Sequence, residues 1–128
     1  MLETKEIFYK TWSIAISSGV CVDEFDPWYE CFKASTIWPI GSREGEMIGS
    51  VLLHGMPDQS VMMHVVVEPE HEGRWLNKKI LKAFRGWKPG VPVVALAADK
   101  KRENALRHVG FIPMDKEPVL GLKWFIRK

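Results

Sequence analysis

A chain of 128 residues that is 46% apolar and 27% charged, with mean hydropathy −0.11, has the make-up of a folded globular domain and not of a disordered or fibrous one. Its formal net charge of +2 leaves no global field that would demand nucleic acid as a partner. No apolar run approaches the roughly 20 residues of a membrane span, and the start MLETKEIFYK lacks a secretion-signal pattern, so no membrane and a cytoplasmic location are expected.

In chain order, Glu3 to Ser17 sets Ile7, Phe8, Trp12 and Ile14 at helical spacing, and Ser17-Ser18-Gly19 supplies a stop. Asp26 ahead of Pro27 predicts an N-cap with proline at the first helical position of a short second helix, its apolar side carried by Trp28, Cys31 and Phe32. The branched and aromatic stretch Ser35 to Ile40 reads as a strand, Gly41 to Gly45 as a turn, and Met47 to His54 as the returning strand of a hairpin. Gly55 to Asp58 turns the chain again, into the apolar run VMMHVVV from Val61, which breaks at Glu68-Pro69.

After that break, EHEGRWLNKKI leads into a basic amphipathic helix carrying Arg74, Lys78, Lys79, Lys82 and Arg85. Such a face suits phosphates or simply water. A second apolar strand, Val91 to Ala98, precedes a helix in DKKRENALRH, then Gly110-Phe111, and Val119 to Ile126 reads as a final strand with Gly121 as a bulge. Three strands joined by tight turns, followed by two strand-helix units, predict a single domain over 1–128 of α/β (α+β) sandwich class, with a mixed, mostly antiparallel central sheet flanked by helices. Cys21 and Cys31 have no CxxC or Cys/His metal spacing; they are expected to be reduced and at least partly buried, and no metal site is expected.

The order strand, Gly turn, helix, strand, helix, Gly-Phe resembles the GCN5-related N-acetyltransferases (GNAT superfamily) over roughly residues 46 to 126. That family's acyl-CoA signature, V-x-P-x-x-[QR]-G-x-[GA]-x-[GA], is matched in register by Val67, Pro69 and Gly73. Glu72 replaces the usual Gln or Arg, and Trp75 and Asn77 replace small residues. The second signature, N-x-x-A with a Tyr before Gly-Phe, is matched at Gly110-Phe111, while Asp99, Arg102 and Leu106 stand in for the Asn, the Ala and the Tyr. The chain is thus similar to a degenerate member of the family, and similar degeneracy occurs among acetyltransferase-like proteins of tailed phages, whose setting would be the host cytoplasm or the virion.

The resemblance implies acetyl-CoA as cofactor and an amine as acceptor. It implies that the strand edge Val65, Val66 and Val67 receives the pantetheine arm. The turn and helix start at Gly73, Arg74, Trp75, Asn77 and Lys78 would cradle the pyrophosphate on backbone N–H groups and a helix dipole, with Asp99 opening the following helix. His64 and Glu68 share one face of their strand, so either could serve as the base; each also has a plain reading, as a core-edge histidine and a solvated carboxylate. Asp99 can likewise be only a helix N-cap.

Six Trp residues, Trp12, Trp28, Trp38, Trp75, Trp87 and Trp124, support a competing expectation. Large aromatics concentrate at interfaces as well as in cores, so a catalytically silent domain that docks onto a protein partner or a second copy, as in a phage assembly, would look the same. The basic helix and the tail Lys123-Trp124 and Arg127-Lys128 could touch nucleic acid, but no nucleic-acid-binding motif accompanies them, and nucleic acid is not the expected partner.

Overall fold

The computed structural model describes residues 3–19, 21–71, 76–88 and 90–128. It divides into two compact units, Met1–His54 with His64–Trp75 and Gly55–Met63 with Leu76–Lys128. The mixed α/β class expected from the sequence is what the chain adopts. Among the described residues six strands follow the order β1-β2-β3-β4-β6-β5, with β3–β4 parallel and β1–β2, β4–β6 and β5–β6 antiparallel.

In the first unit, α1 (Thr4–Ser17) and α2 (Phe25–Phe32) precede β1 (Thr36–Gly41), β2 (Met47–Gly55) and the end of β3 (Val61–Val67). Phe8, Thr11 and Ala15, three and four residues apart, form the buried stripe of α1. Phe8 meets Trp28 and Tyr29 edge-on, at ring separations of 6.1 and 5.6 Å. With Ala15, Leu52 and Val66 these rings build the apolar core of this unit. Ser18 ends α1 by donating both its N–H and its hydroxyl to Ile14, and Gly19 leaves at φ +78°, where a side chain would be strained. Helix α2 starts earlier than expected: Glu24 is its N-cap, so Asp26 and Pro27 lie within the first turn, where a missing proline N–H costs nothing.

The β1–β2 hairpin runs from Thr36 opposite Leu53 to Gly41 opposite Met47, with a register shift between Ile40 and Gly41, and β1, at the sheet edge, tolerates Pro39. Thr11 donates to the Ile7 carbonyl at 2.8 Å, so its single proton is committed and Ser50 is the donor in the 2.6 Å bond between the two buried hydroxyls. Gly49 has a different reason to be glycine: a Cβ there would sit 2.2 Å from the Val66 carbonyl oxygen.

In the second unit, the start of β3 pairs in parallel with β4 (Val93–Ala97), through Val61 with Val93 and Met62 with Val94. The strand β4 then pairs antiparallel along its whole length with β6 (Lys123–Arg127), which also takes the short β5 (Ile112–Pro113). Alternate β4 residues, Val93, Ala95 and Ala97, are buried, as are Ile80 and Phe84 of α3 (Lys78–Gly86) and Leu106 of α4 (Lys100–His108).

Two expectations are corrected here, and one element is new. Strand β5 was not foreseen, because two residues are too few to show periodicity. Gly121 is not a bulge in a strand from Val119: Val119 and Leu122 bridge across a tight turn whose central residues, Leu120 and Gly121, both have positive φ, 52° and 78°, and β6 begins only at Lys123. Cys31, expected to be at least partly buried, is exposed, because the inward positions of α2 are taken by larger rings. Among the described residues no helix is long and apolar enough to cross a membrane.

Candidate functional site

Strand alternation puts His64, Val66 and Glu68 on one face of β3, and burial of Val66 beneath the helices fixes that face inward. His64 is therefore half-buried. The Phe32 ring stands edge-on to it at 5.5 Å, and the same ring lies 5.2 Å from His54. His54 is half-buried, 6.5 Å from His64 between ring centres, with its Nδ1 3.1 Å from the Ser35 hydroxyl.

Burial chiefly, and the neighbouring His54 second, hold the His64 pKa below its ordinary 6.5, so the imidazole is neutral and free to accept a proton at neutral pH. The sequence missed His54, Phe32 and Ser35 as its neighbours. No short-range signal marks them, because they meet His64 only through strand register and packing.

Glu68 does not join this group. Four residues along an extended strand separate it from His64 by about 13 Å. Its backbone N–H donates to Ile48, closing the end of β3, and Pro69–His71 then forms a 3₁₀ turn that swings Glu70 and His71 beside it. The Glu68 and His71 side chains approach to 3.8 Å, and one ligand atom from each of Glu68, Glu70 and His71 lies within 4.8 Å of the others. Desolvation first, then the hydrogen bond and charge of Glu70, raise the Glu68 pKa above 4.5. Three partly exposed side chains of this kind are common without an ion, and they carry no metal assignment.

Of the residues expected at the acyl-CoA site, Val66 and Val67 are buried and Val65 is half-buried. Gly73, Arg74 and Trp75, with Glu72, lie outside the described residues. Asn77 is the N-cap of α3, its Oδ1 accepting from the Ile80 N–H at 2.9 Å, and Lys78 opens the helix on the exposed side. Asp99 caps α4 in the same way, accepting from the Arg102 N–H at 2.9 Å and pairing with the Arg102 guanidinium. Those contacts, the backbone bond first, depress its pKa. Leu106, at the position where the resemblance expects a Tyr, is 5% exposed.

No family profile matches the sequence, and no curated protein matches it as a relative. Solved structures do match. A chimera of the spermidine N-acetyltransferase SpeG from Vibrio cholerae and hSSAT aligns over 98% of this chain and 92% of its own, at 14% identity and a TM-score of 0.64. A protein assigned as a phosphinothricin N-acetyltransferase aligns over 100% and 95%, at 15% identity and a TM-score of 0.61. A protein of Bordetella pertussis assigned to the GnaT acetyltransferase family aligns over 81% and 73%, at 18% identity and a TM-score of 0.56. At such identities the likeness is one of fold, and the fold of this chain is that of the GCN5-related N-acetyltransferases.

Proposed function

We propose that the chain binds acetyl-CoA and transfers its acetyl group to an amine. The observation that carries this reading is the parallel ladder of β3 with β4. It holds two residue pairs, although the strands run to seven and five residues, within a fold shared with N-acetyltransferases. The expected break at Glu68-Pro69 is preceded by this earlier end of pairing at Met62. Backbone groups without a ladder partner seek one, and the amides of a pantetheine arm supply it. On this reading the stretch Val65, Val66 and Val67 offers those groups on its edge away from β2. Lys78 adds charge for the phosphates at the positive end of α3, and the sequence signature adds Gly73, Arg74 and Trp75, while Asn77 and Asp99 shape helix starts.

Acetyl-CoA supplies the activated thioester. The chain must supply a base, because a protonated amine cannot attack. His64, neutral and half-buried, takes the proton from the acceptor, and Glu68, whose raised pKa makes it a stronger base than a free carboxylate, is the other candidate. Two of the similar structures are spermidine and phosphinothricin acetyltransferases by name, so a polyamine is the first acceptor to try.

A second reading has its own observation. Leu106 fills a core position where a Tyr proton donor would stand, and Arg102 pairs with Asp99 in place of a small residue. On that reading the fold serves protein assembly, in a phage particle for example, and transfers nothing.

Calorimetric titration with acetyl-CoA, followed by thiol release in the presence of spermidine and other amines, separates the cases. Binding with turnover that falls about 100-fold in His64→Gln supports the first reading. Binding without turnover on any amine supports the second, and no heat up to about 1 mM acetyl-CoA removes the first.

A further inference from the structure

A cleft of about 550 Å³ opens within the second unit, between the end of α3 and the end of β6. Four cationic side chains line it, Arg85, Lys88, Arg127 and Lys128, with Trp87 and Pro92 as its apolar walls. We propose that this cleft binds a small organic phosphate, its anionic group held by the cations and its apolar body laid against Trp87 and Pro92. The proposal does not rest on the acetyl-transfer reading.

Charge is the first argument. No acidic residue lines the cleft, and among the described residues none of the four cations is in an ion pair. Four like charges around one space repel one another, and a phosphate monoester, with a charge of about −1.5 to −2 at neutral pH, relieves that repulsion. The dipole of α3 does not explain the cluster. Arg85 lies in the last turn, where a cation complements the helix C-terminus, but Lys88 lies past the C-cap and Arg127 and Lys128 come from the end of β6.

Preorganisation is the second. Arg127 Nη2 donates to the Phe84 carbonyl at 2.9 Å, and its guanidinium lies 5.5 Å from the Trp87 ring centre. The side chain is thereby fixed before any ligand arrives, and a guanidinium has five N–H donors, more than one carbonyl consumes. Size is the third argument. Inorganic phosphate would leave most of such a volume empty, whereas a cleft in the range of ordinary small-molecule sites with an indole wall suits a phosphate that carries a ring.

The test uses the full chain at low salt, with phenyl phosphate as probe, phenol as its uncharged control and inorganic phosphate as its ringless one, read by amide and indole chemical shifts. Phenyl phosphate is expected to move the Trp87 indole and the amides near Lys88, Val91 and Arg127, and to bind about tenfold more tightly than either control. Lys88→Gln with Lys128→Gln, both exposed, should weaken binding about tenfold without lowering thermal stability; Arg127→Gln should do so too, but can also loosen the Phe84 and Trp87 contacts. No movement of these signals at about 10 mM phenyl phosphate overturns the proposal, as does binding that the double variant leaves unchanged. It is overturned equally if an oligonucleotide of about 12 residues moves these signals while phenyl phosphate does not, since the face would then be a nucleic-acid surface.

Discussion

Among the described residues, Leu120 stands out because its backbone and side chain are both at odds with its surroundings. It is 95% exposed and adopts φ +52°, a conformation that costs a branched, non-glycine residue about 1 kcal/mol and that Asn or Gly adopts more readily. Nothing in the structure repays that cost. Leu120→Asn should therefore raise stability by about 0.5–1 kcal/mol, seen as a melting-temperature increase of a few degrees. His64 leads to a prediction about pH. Because its folded pKa lies below 6.5, the unfolded chain binds the proton first as pH falls, so stability is full above about pH 6.5 and is lost as pH drops below it. Glu68, with a raised pKa, acts in the opposite sense, and only once pH rises through the carboxylate range near 4.5. Urea denaturation at pH 7.5 and 5.5 should show a loss at the lower pH that His64→Gln reduces; an unchanged loss would assign it to other groups.

At the scale of elements, two contacts decide how the first unit closes. The Thr11–Ser50 bond ties α1 to β2 in a fully buried setting. Thr11→Val removes the acceptor and strands the Ser50 hydroxyl, so it should cost about 1–3 kcal/mol, whereas Thr11→Val with Ser50→Ala should recover part of that loss. Gly49 lets β2 approach β3 to the point where its own Cα faces the Val66 carbonyl. Gly49→Ala would force the strands apart and should cost about 3 kcal/mol or more, measured by chemical denaturation. Helix α3 offers a finer test. Asn77→Ala removes a cap and should cost about 1 kcal/mol of stability; if Asn77 also shapes a phosphate site, acetyl-CoA affinity falls with it.

For the molecule as a whole, what connects it to the solved N-acetyltransferases is a likeness of fold, with TM-scores of 0.64 and 0.56 at identities of 14% and 18%. If acetyl-CoA binds the native chain and not the unfolded one, saturating it at about 100 times Kd should add about 2.7 kcal/mol of stability, and the thermal midpoint should rise with ligand concentration. A midpoint that does not move would leave the fold without this ligand.

Much of this was legible in one dimension. The helical spacing of Phe8 and Trp12, the alternation of VPVVALAA and the cap Asp99 are local, because periodicity and capping act within a few residues; Asn77, read as part of a phosphate cradle, is a cap only in the structure. Even the resemblance rests on short motifs, Val67, Pro69, Gly73 and Gly110-Phe111. What the local pattern could not hold were relations between distant residues: His54 beside His64 beneath the Phe32 ring, Ser50 bonded to Thr11, and a basic cleft gathered from Arg85 and Arg127. Those depend on register and packing, which only the folded chain sets. Sequence by itself therefore determined the main helices and strands and the fold class; tertiary structure decided the short strand β5, the turn at Leu120-Gly121 and which side chains meet, since burial and charge act between neighbours in space.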